Sequence, residues 1–527
     1  MPVKLTLEDT KGCGMTLAFH AQERPEKLAI RSKYGDRTFA QLNGRANQLV
    51  RVLRNSGLQP DDGVAILLVN RPEFIEAYYA CLRAGFRVTP INWHLSGDNA
   101  SYVVENSHAK AFIGDVKCDQ SALEAQGYNR DQLKVSLAVG GYLEGFESYD
   151  DMLDRESQDN IENPEIGAQM LYTSGTTGRP KGVFRNRLTV DQVINTPKTQ
   201  FETDAAYNPE TDCCLCAGPA YHAAPLAFNV VLPIGQGVGV VLMDKWDAEE
   251  ALQLIEKYKI THTHMVATMF HRLLALPDEA RNSYDVSSLR YVLHGAAPCP
   301  VHVKHQMMDW LGLVVFEYYA ATEGGGGYII GPEEWLANPG SVGKAPVGAE
   351  NKICNDDGDE VAVGEIGTIF FKAPALRFEY YNDSEKTAGS YNGDFFTLGD
   401  MGYIDDKGYL YLTGRSAETI ISGGVNIYPQ ETDDVLLKHP AIADVCTVGV
   451  PSDEWGEEVK SIVQLKEGIE KSDEMAEELI SFVRDNLAVF KSPRSIDFVS
   501  NLPRLPSGKI QRRLVREPYW AGRDKKI

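Results

Sequence analysis

The chain has 527 residues, 43% of them apolar and 24% charged, with a formal net charge of −22. That length exceeds one ordinary hydrophobic core, so two or more domains are expected. The acidic balance excludes general affinity for phosphate backbones but leaves room for a local basic nucleotide pocket. The nine cysteines are odd in number and scattered, which argues against a secreted disulfide framework and for a reduced compartment. No basic-then-apolar leader, C-terminal targeting motif or bilayer-length apolar run is visible, so a cytoplasmic protein without a membrane span is expected.

In chain order, the apolar run 64–69 predicts a strand. Arg71-Pro72-Glu73 then opens a helix whose Phe74, Ala77, Tyr78, Cys81 and Leu82 share one face, with Pro at an early position where its missing N–H costs little. Gly85 ends that helix and 88–91 is the next strand. Strand, helix, strand at this spacing is a βαβ unit and implies a parallel sheet. The pattern returns at 214–217, 238–243, a helix near 248–257, 260–266 and 289–293. From about 364 to 414, short strands separated by Gly and Asp turns predict a β-rich subdomain. After Gly414-Arg415 a last unit of about 110 residues is long enough for its own domain, with helices near 431–438 and 473–487 around strands 443–450 and 460–465. The expected fold is α/β: a large N-terminal domain, 1–414, with layered parallel-rich sheets, and a small mobile α+β C-terminal domain, 415–527.

The most informative segment is Thr173-Ser174-Gly175-Thr176-Thr177-Gly178-Arg179-Pro180-Lys181-Gly182, fed by the apolar Met170-Leu171-Tyr172. Its glycines let backbone N–H groups approach an anion, and its hydroxyls and lysine add donors and charge. The Walker A spacing is absent, so this is a phosphate loop of another kind. Further segments follow: Gly218-Pro219-Ala220-Tyr221-His222-Ala223-Ala224; Leu293-His294-Gly295-Ala296-Ala297-Pro298; Tyr319-Ala320-Ala321-Thr322-Glu323; Asp394-Phe395-Phe396-Thr397-Leu398-Gly399-Asp400; Gly414-Arg415; Ile420-Ile421-Ser422-Gly423-Gly424; and Leu505-Pro506-Ser507-Gly508-Lys509-Ile510.

In order and spacing, this set resembles the adenylate-forming superfamily of acyl- and aryl-CoA synthetases, adenylation domains and luciferases. The resemblance implies an ATP-dependent acid–thiol ligase that makes an acyl-adenylate and pyrophosphate, then an acyl-CoA and AMP. It implies that Ser174, Gly175, Thr176, Thr177, Gly178 and Lys181 hold phosphate, and that Thr173 and Glu323 serve Mg²⁺. Gly295, Ala296, Ala297, Tyr319 and Thr322 would lie about adenine and phosphate, Asp400 and Arg415 at the ribose. Lys509 would neutralise charge at the α-phosphate. His222 and Ala223, with Gly324 and Gly325, would wall the acyl pocket. Ser422, Gly423 and Gly424 would line a coenzyme A tunnel after rotation of the C-terminal domain. Three departures stand out: Ala320 for the usual Gly, Leu398 as an extra residue before Gly399-Asp400, and Ala417 at the usual hinge position beside Glu418.

Missing side chains at Ala223, Ala224 and the run Gly324 to Gly327 leave volume, so a bulky or long acyl group is expected in place of acetate. Segments 334–340 and 424–431 look most like long-chain fatty-acid or steroid/bile-acid CoA ligases. Two other readings stand beside the ligase. One is an enzyme that loads a carrier protein, or a luciferase-like oxygenase; the chain stops soon after Lys509, so no fused carrier is expected. The other is a nucleotide-binding pseudoenzyme. The resemblance adds only that family members are often homodimers. Cys213, Cys214 and Cys216, like His262 and His264, read as core packing, since no partner ligands stand at metal spacing.

Overall fold

A computed structural model describes residues 4–173, 179–324, 326–355, 357–372, 377–505 and 508–521. The first layer is a six-stranded all-parallel sheet in which Gly63–Leu67 lies between Arg87–Pro90 and Ala109–Asp115. The crossover helix Pro72–Arg83 has Pro72 in its first turn and is buried along most of its length. Gly85, at φ +77°, ends it, a conformation that glycine adopts without steric cost.

The second layer is an eight-stranded sheet. Its central strands, from Leu28–Arg31 through Gly239–Leu242, Cys213–Cys216, His262–Met265, Tyr291–His294 and Val315–Ala320, run parallel. Their C-terminal ends deliver His294, Gly295 and Tyr319 to one edge, where open α/β sheets place their ligands. His262 and His264 are buried in this sheet. His262 Nε2 lies 2.8 Å from the Ala205 carbonyl oxygen and His264 Nε2 3.1 Å from Tyr318 Oη, so both are satisfied core groups. Among the described residues, no cluster of three or more His, Cys, Asp or Glu could hold a metal, and no helix is long and apolar enough to cross a membrane.

An antiparallel sheet follows, built from Ser341–Lys344, Asn351–Cys354, Gly367–Lys372, Phe395–Ile404 and Tyr409–Arg415, with Tyr391–Asn392 at one side. It begins before residue 364. Ser341–Lys344 and Asn351–Cys354 mix Lys, Asn and Gly into four-residue strands, so no apolar alternation advertises them. The last unit is a five-stranded sheet in which the long hairpin Ile442–Ser452 and Gly456–Leu465 carries most of the pairing. Helices Pro429–Leu436 and Asp473–Asn486 bury Leu436, Leu479 and Val483 against Val445 and Val463.

Candidate active site

Thr173 ends the strand Leu171–Thr173 and pairs in register with Lys181, which opens Lys181–Phe184. The pairing therefore holds a hydroxyl opposite an ammonium. Ser174, Gly175, Thr176, Thr177, Gly178 and the acyl-pocket candidate Gly325 lie outside the described residues. Lys181 Nζ is 3.5 Å from Asp383 Oδ2 and 5.7 Å from the centre of the Tyr380 ring. Tyr380 Oη in turn donates to Glu323 Oε1 at 3.0 Å. Burial and the Glu323 carboxylate together push the Tyr380 phenol upward, so Tyr380 remains a donor to Glu323. Arg185 Nη2 donates to the Thr322 carbonyl at 3.1 Å. A Cβ on Gly324, at φ +93°, would fall 2.7 Å from that same guanidinium, so Gly324 faces Arg185 in this arrangement.

A second cluster of the expected site residues is built on Asp400. Between the paired positions Phe370↔Thr397 and Thr368↔Met401, the strand Phe395–Ile404 carries more residues than its partner. Leu398, Gly399 and Asp400 form a bulge there, and Gly399 sits at φ +76°. The extra Leu398 is thus absorbed by a bulge, which re-aims a side chain without breaking the sheet. Asp400 stands opposite Arg415 across the ladder. It accepts from Arg415 Nε at 3.0 Å and from Tyr319 Oη at 2.7 Å. Gly295 lies against Tyr318: a Cβ there would fall 2.4 Å from its ring. Ala296 follows at φ +64°, a conformation uncommon outside glycine. Ala297 continues the bend that begins at Ala296.

Lys509 comes from the C-terminal unit and lies within electrostatic reach of Arg415, Glu418, Asp400 and Glu323. Burial is the main cause of its lowered pKa, Arg415 adds to it, and the three carboxylates oppose it; the result is about 8. The Lys509 hairpin is closed by Leu505 N–H to Lys509 O and Gly508 N–H to Leu505 O, both at 2.8 Å. Ser422 pairs with Val425, which leaves Gly423 and Gly424 as a two-residue turn at φ +59° and +80°. Positive φ at both positions is what a tight primed hairpin turn demands. Both glycines are exposed. The structure therefore has the lysine inserted and the Gly-Gly turn facing outward. Ala417 and Glu418 lie in the single turn Ser416–Glu418, where Glu418 accepts from Arg512 Nε at 3.2 Å.

His222 is largely buried, and burial draws its imidazole down to about 4, so it is neutral at pH 7. It stacks against Tyr221 at 4.5 Å, and Tyr221 meets Trp93 edge-on. Ala223 and Ala224 lead into the π-helix Pro225–Val231, a form that concentrates at functional sites. That helix sets Phe228 5.0 Å from Tyr318 and 5.9 Å from His264. The cavity beyond, lined by Phe201, Tyr207, Phe228 and Tyr291 among others, encloses only about 10 Å³, room for one water molecule.

These groups match a known family across most of the chain. Residues 17–381 match the model for the AMP-binding enzyme family, and 431–509 match that for the AMP-binding enzyme C-terminal domain. The chain belongs to the AMP-binding enzyme family. It is 30% identical to the indoleacetate–CoA ligase of Aromatoleum aromaticum, over 94% of this chain and 96% of that one. It is also 30% identical to the long-chain-fatty-acid–CoA ligase FadD13 of Mycobacterium tuberculosis, over 92% and 93%. Among solved structures, the anthranilate CoA ligase AuaEII in complex with anthranoyl-AMP superposes with a TM-score of 0.83 at 23% identity, covering 98% of both chains. With such relatives, the protein is an acid–thiol ligase by class.

In this AMP-binding enzyme, sequence reasoning missed Tyr380, Arg185 and Arg512. Tyr380 and Arg185 lie outside the motif strings, and only pairing of the strands Lys181–Phe184 and Glu379–Tyr380 brings them to Glu323. Arg512 Nη2 donates to Asp433 at 2.9 Å and its Nη1 reaches the Thr447 carbonyl. An Arg beside Arg513 and close to Arg516 does not stand out in a basic tail.

Proposed function

We propose that the protein couples a carboxylic acid larger than acetate, with an aryl or other bulky apolar body, to coenzyme A through an acyl-adenylate. The observation that carries this reading is the insertion of Lys509 within electrostatic reach of Asp400, Arg415 and Glu323, with Thr173 and Lys181 paired in register. In the first step a carboxylate oxygen attacks the α-phosphorus of ATP. The bond to the bridging oxygen breaks and pyrophosphate leaves. Lys509 offsets the negative charge that two converging anions create. Asp400 and Arg415 hold the ribose, Tyr319 packs on adenine, and the Gly295–Ala297 turn lets the base approach the backbone. His222, neutral and buried, acts as a wall.

Glu323 and Thr173 fit a Mg²⁺ ion, which characteristically takes one or two protein oxygens and completes its shell with phosphate and water. Such an ion, when bound, supplies charge neutralisation on the phosphates. In the second step the thiolate of coenzyme A attacks the acyl carbon, the acyl–oxygen bond breaks, and AMP leaves with one former carboxylate oxygen. For this the C-terminal unit turns about residues 416–418, where Glu418 exchanges its bond to Arg512, and brings Ser422, Gly423 and Gly424 to the tunnel.

Support for a large acid is the absence of side chains at Ala223 and Gly327, the aromatic wall of Phe228 and Tyr318, and the indoleacetate and long-chain fatty acids named for relatives. The test is pyrophosphate release with MgATP across a panel of acids, with and without coenzyme A. Release that depends on an aryl or bulky acid and becomes sustained with coenzyme A supports the reading. Acid-dependent release indifferent to coenzyme A would assign the acyl group to another acceptor such as a carrier protein. No release with any acid would leave the nucleotide-binding pseudoenzyme.

A further inference from the structure

The lysine hairpin does not hang free over the nucleotide site. Its Gly508 rests on the helix Ala267–Leu274, which belongs to the eight-stranded layer and follows the strand His262–Met265. Gly508 is at φ +84°, and a Cβ there would fall 2.2 Å from Thr268 Oγ1 and 3.2 Å from Val266 Cγ2. The hairpin backbone thus meets the first turn of that helix with no space between. His271 lies one turn further on, in the electrostatic field of Asp444, His302 and Arg504. Arg504 is bound to Asp444 through Nε at 3.1 Å and Nη2 at 2.7 Å, and its Nη1 donates to the Gly508 carbonyl at 2.5 Å. Asp444, Arg504 and Gly508 therefore form one continuous contact within the C-terminal unit up to the residue before Lys509, and Gly508 meets the helix at Thr268. None of the motifs identified in the sequence includes Thr268 or His271.

We propose that Thr268 is a positioning residue, a seat on the helix Ala267–Leu274 that sets the height of Gly508 and so of Lys509 for adenylation alone. The proposal rests on the ligase reading for the identity of the step. The seat is engaged only while the lysine is inserted, so it should have no part in thioester formation.

Thr268→Leu would lift the hairpin, whereas Thr268→Val keeps the shape of the side chain. Using the panel acid that releases most pyrophosphate, Thr268→Leu should lower acid-dependent exchange of pyrophosphate into ATP by at least about tenfold, since a displacement near 1 Å can cost more than that. Thioester formation from the synthetic adenylate of that acid and coenzyme A should be unchanged. Thr268→Val should match the wild type in both steps. Equal loss of both steps in Thr268→Leu, or loss in neither, would overturn the proposal. A readout independent of turnover separates it from the ligase reading. Trypsin cleavage after Lys509, mapped by mass spectrometry on the intact protein, should rise several-fold in Thr268→Leu. Unchanged cleavage overturns the seat even if the ligase reading stands. Wild-type protein with no acid-dependent exchange defeats the ligase reading and leaves the cleavage result to decide the seat.

Discussion

Lys509 is poised to lose its proton within the working range of pH, and this gives a sharp test of its role. An exposed lysine titrates near 10.5, and burial beside Arg415 brings this one down to about 8. The charged form is present below that value and is lost above it. If the ammonium is what offsets charge at the α-phosphate, kcat/KM for adenylation, which reports the free enzyme, should be flat from pH 6.5 to about 7.5. It should then fall by about tenfold for each unit above about 8, the slope of a single titration. Thioester formation from a supplied acyl-adenylate should show no such fall, because the lysine is withdrawn in that step and the thiolate fraction rises with pH. Lys509→Ala should lower adenylation by at least about 100-fold, the lower range for a key electrostatic donor, and abolish the alkaline limb. The assay is exchange of labelled pyrophosphate into ATP over pH 6.5–9.5, run beside thiolysis of the synthetic adenylate. An alkaline limb that persists in Lys509→Ala, or one of equal size in both half-reactions, would refute the reasoning.

Gly424→Trp, at a position where a side chain would point into open space, should spare pyrophosphate release and block thioester formation; unchanged acyl-CoA yield would remove the Gly-Gly turn from the tunnel. Asp400→Ala should raise KM for ATP by about tenfold or more, the scale of a lost charge-assisted hydrogen bond, with fold stability measured alongside by thermal melting. Arg512→Ala removes the partner of Glu418 and of buried Asp433 and should cost about 3 kcal/mol or more, read as a lowered denaturation midpoint. Acetate should be turned over far less efficiently than an aryl or other bulky acid in a comparison of kcat/KM; parity would discard the argument from missing side chains.

The parallel layers were legible because apolar strands and the amphipathic helix after Pro72 repeat at βαβ spacing. The segment 173–182 stood out in the sequence because so dense a string of Gly, Thr and Ser before a lysine has few uses other than holding phosphate; its residues 174–178 lie outside the described residues. The bulge at Leu398–Asp400 was not, since sequence shows an insertion but not whether the ladder or the loop absorbs it. Tyr380 and Arg185 were invisible for a related reason: they reach Glu323 only through strand pairing between segments far apart in the chain. The strands 341–344 and 351–354 were too short and too polar to declare themselves. Nor could any local pattern tell whether Lys509 or the Gly-Gly turn faces the site, because that is set by docking of one unit on another.

The most direct test follows the carboxylate oxygen. Incubation with MgATP, coenzyme A and an ¹⁸O-labelled acid from the panel, followed by mass spectrometry of the nucleotide product, should find one ¹⁸O in each AMP formed, matched by one acyl-CoA. AMP without label, or label recovered only in inorganic phosphate, would contradict the acyl-adenylate on which the account rests.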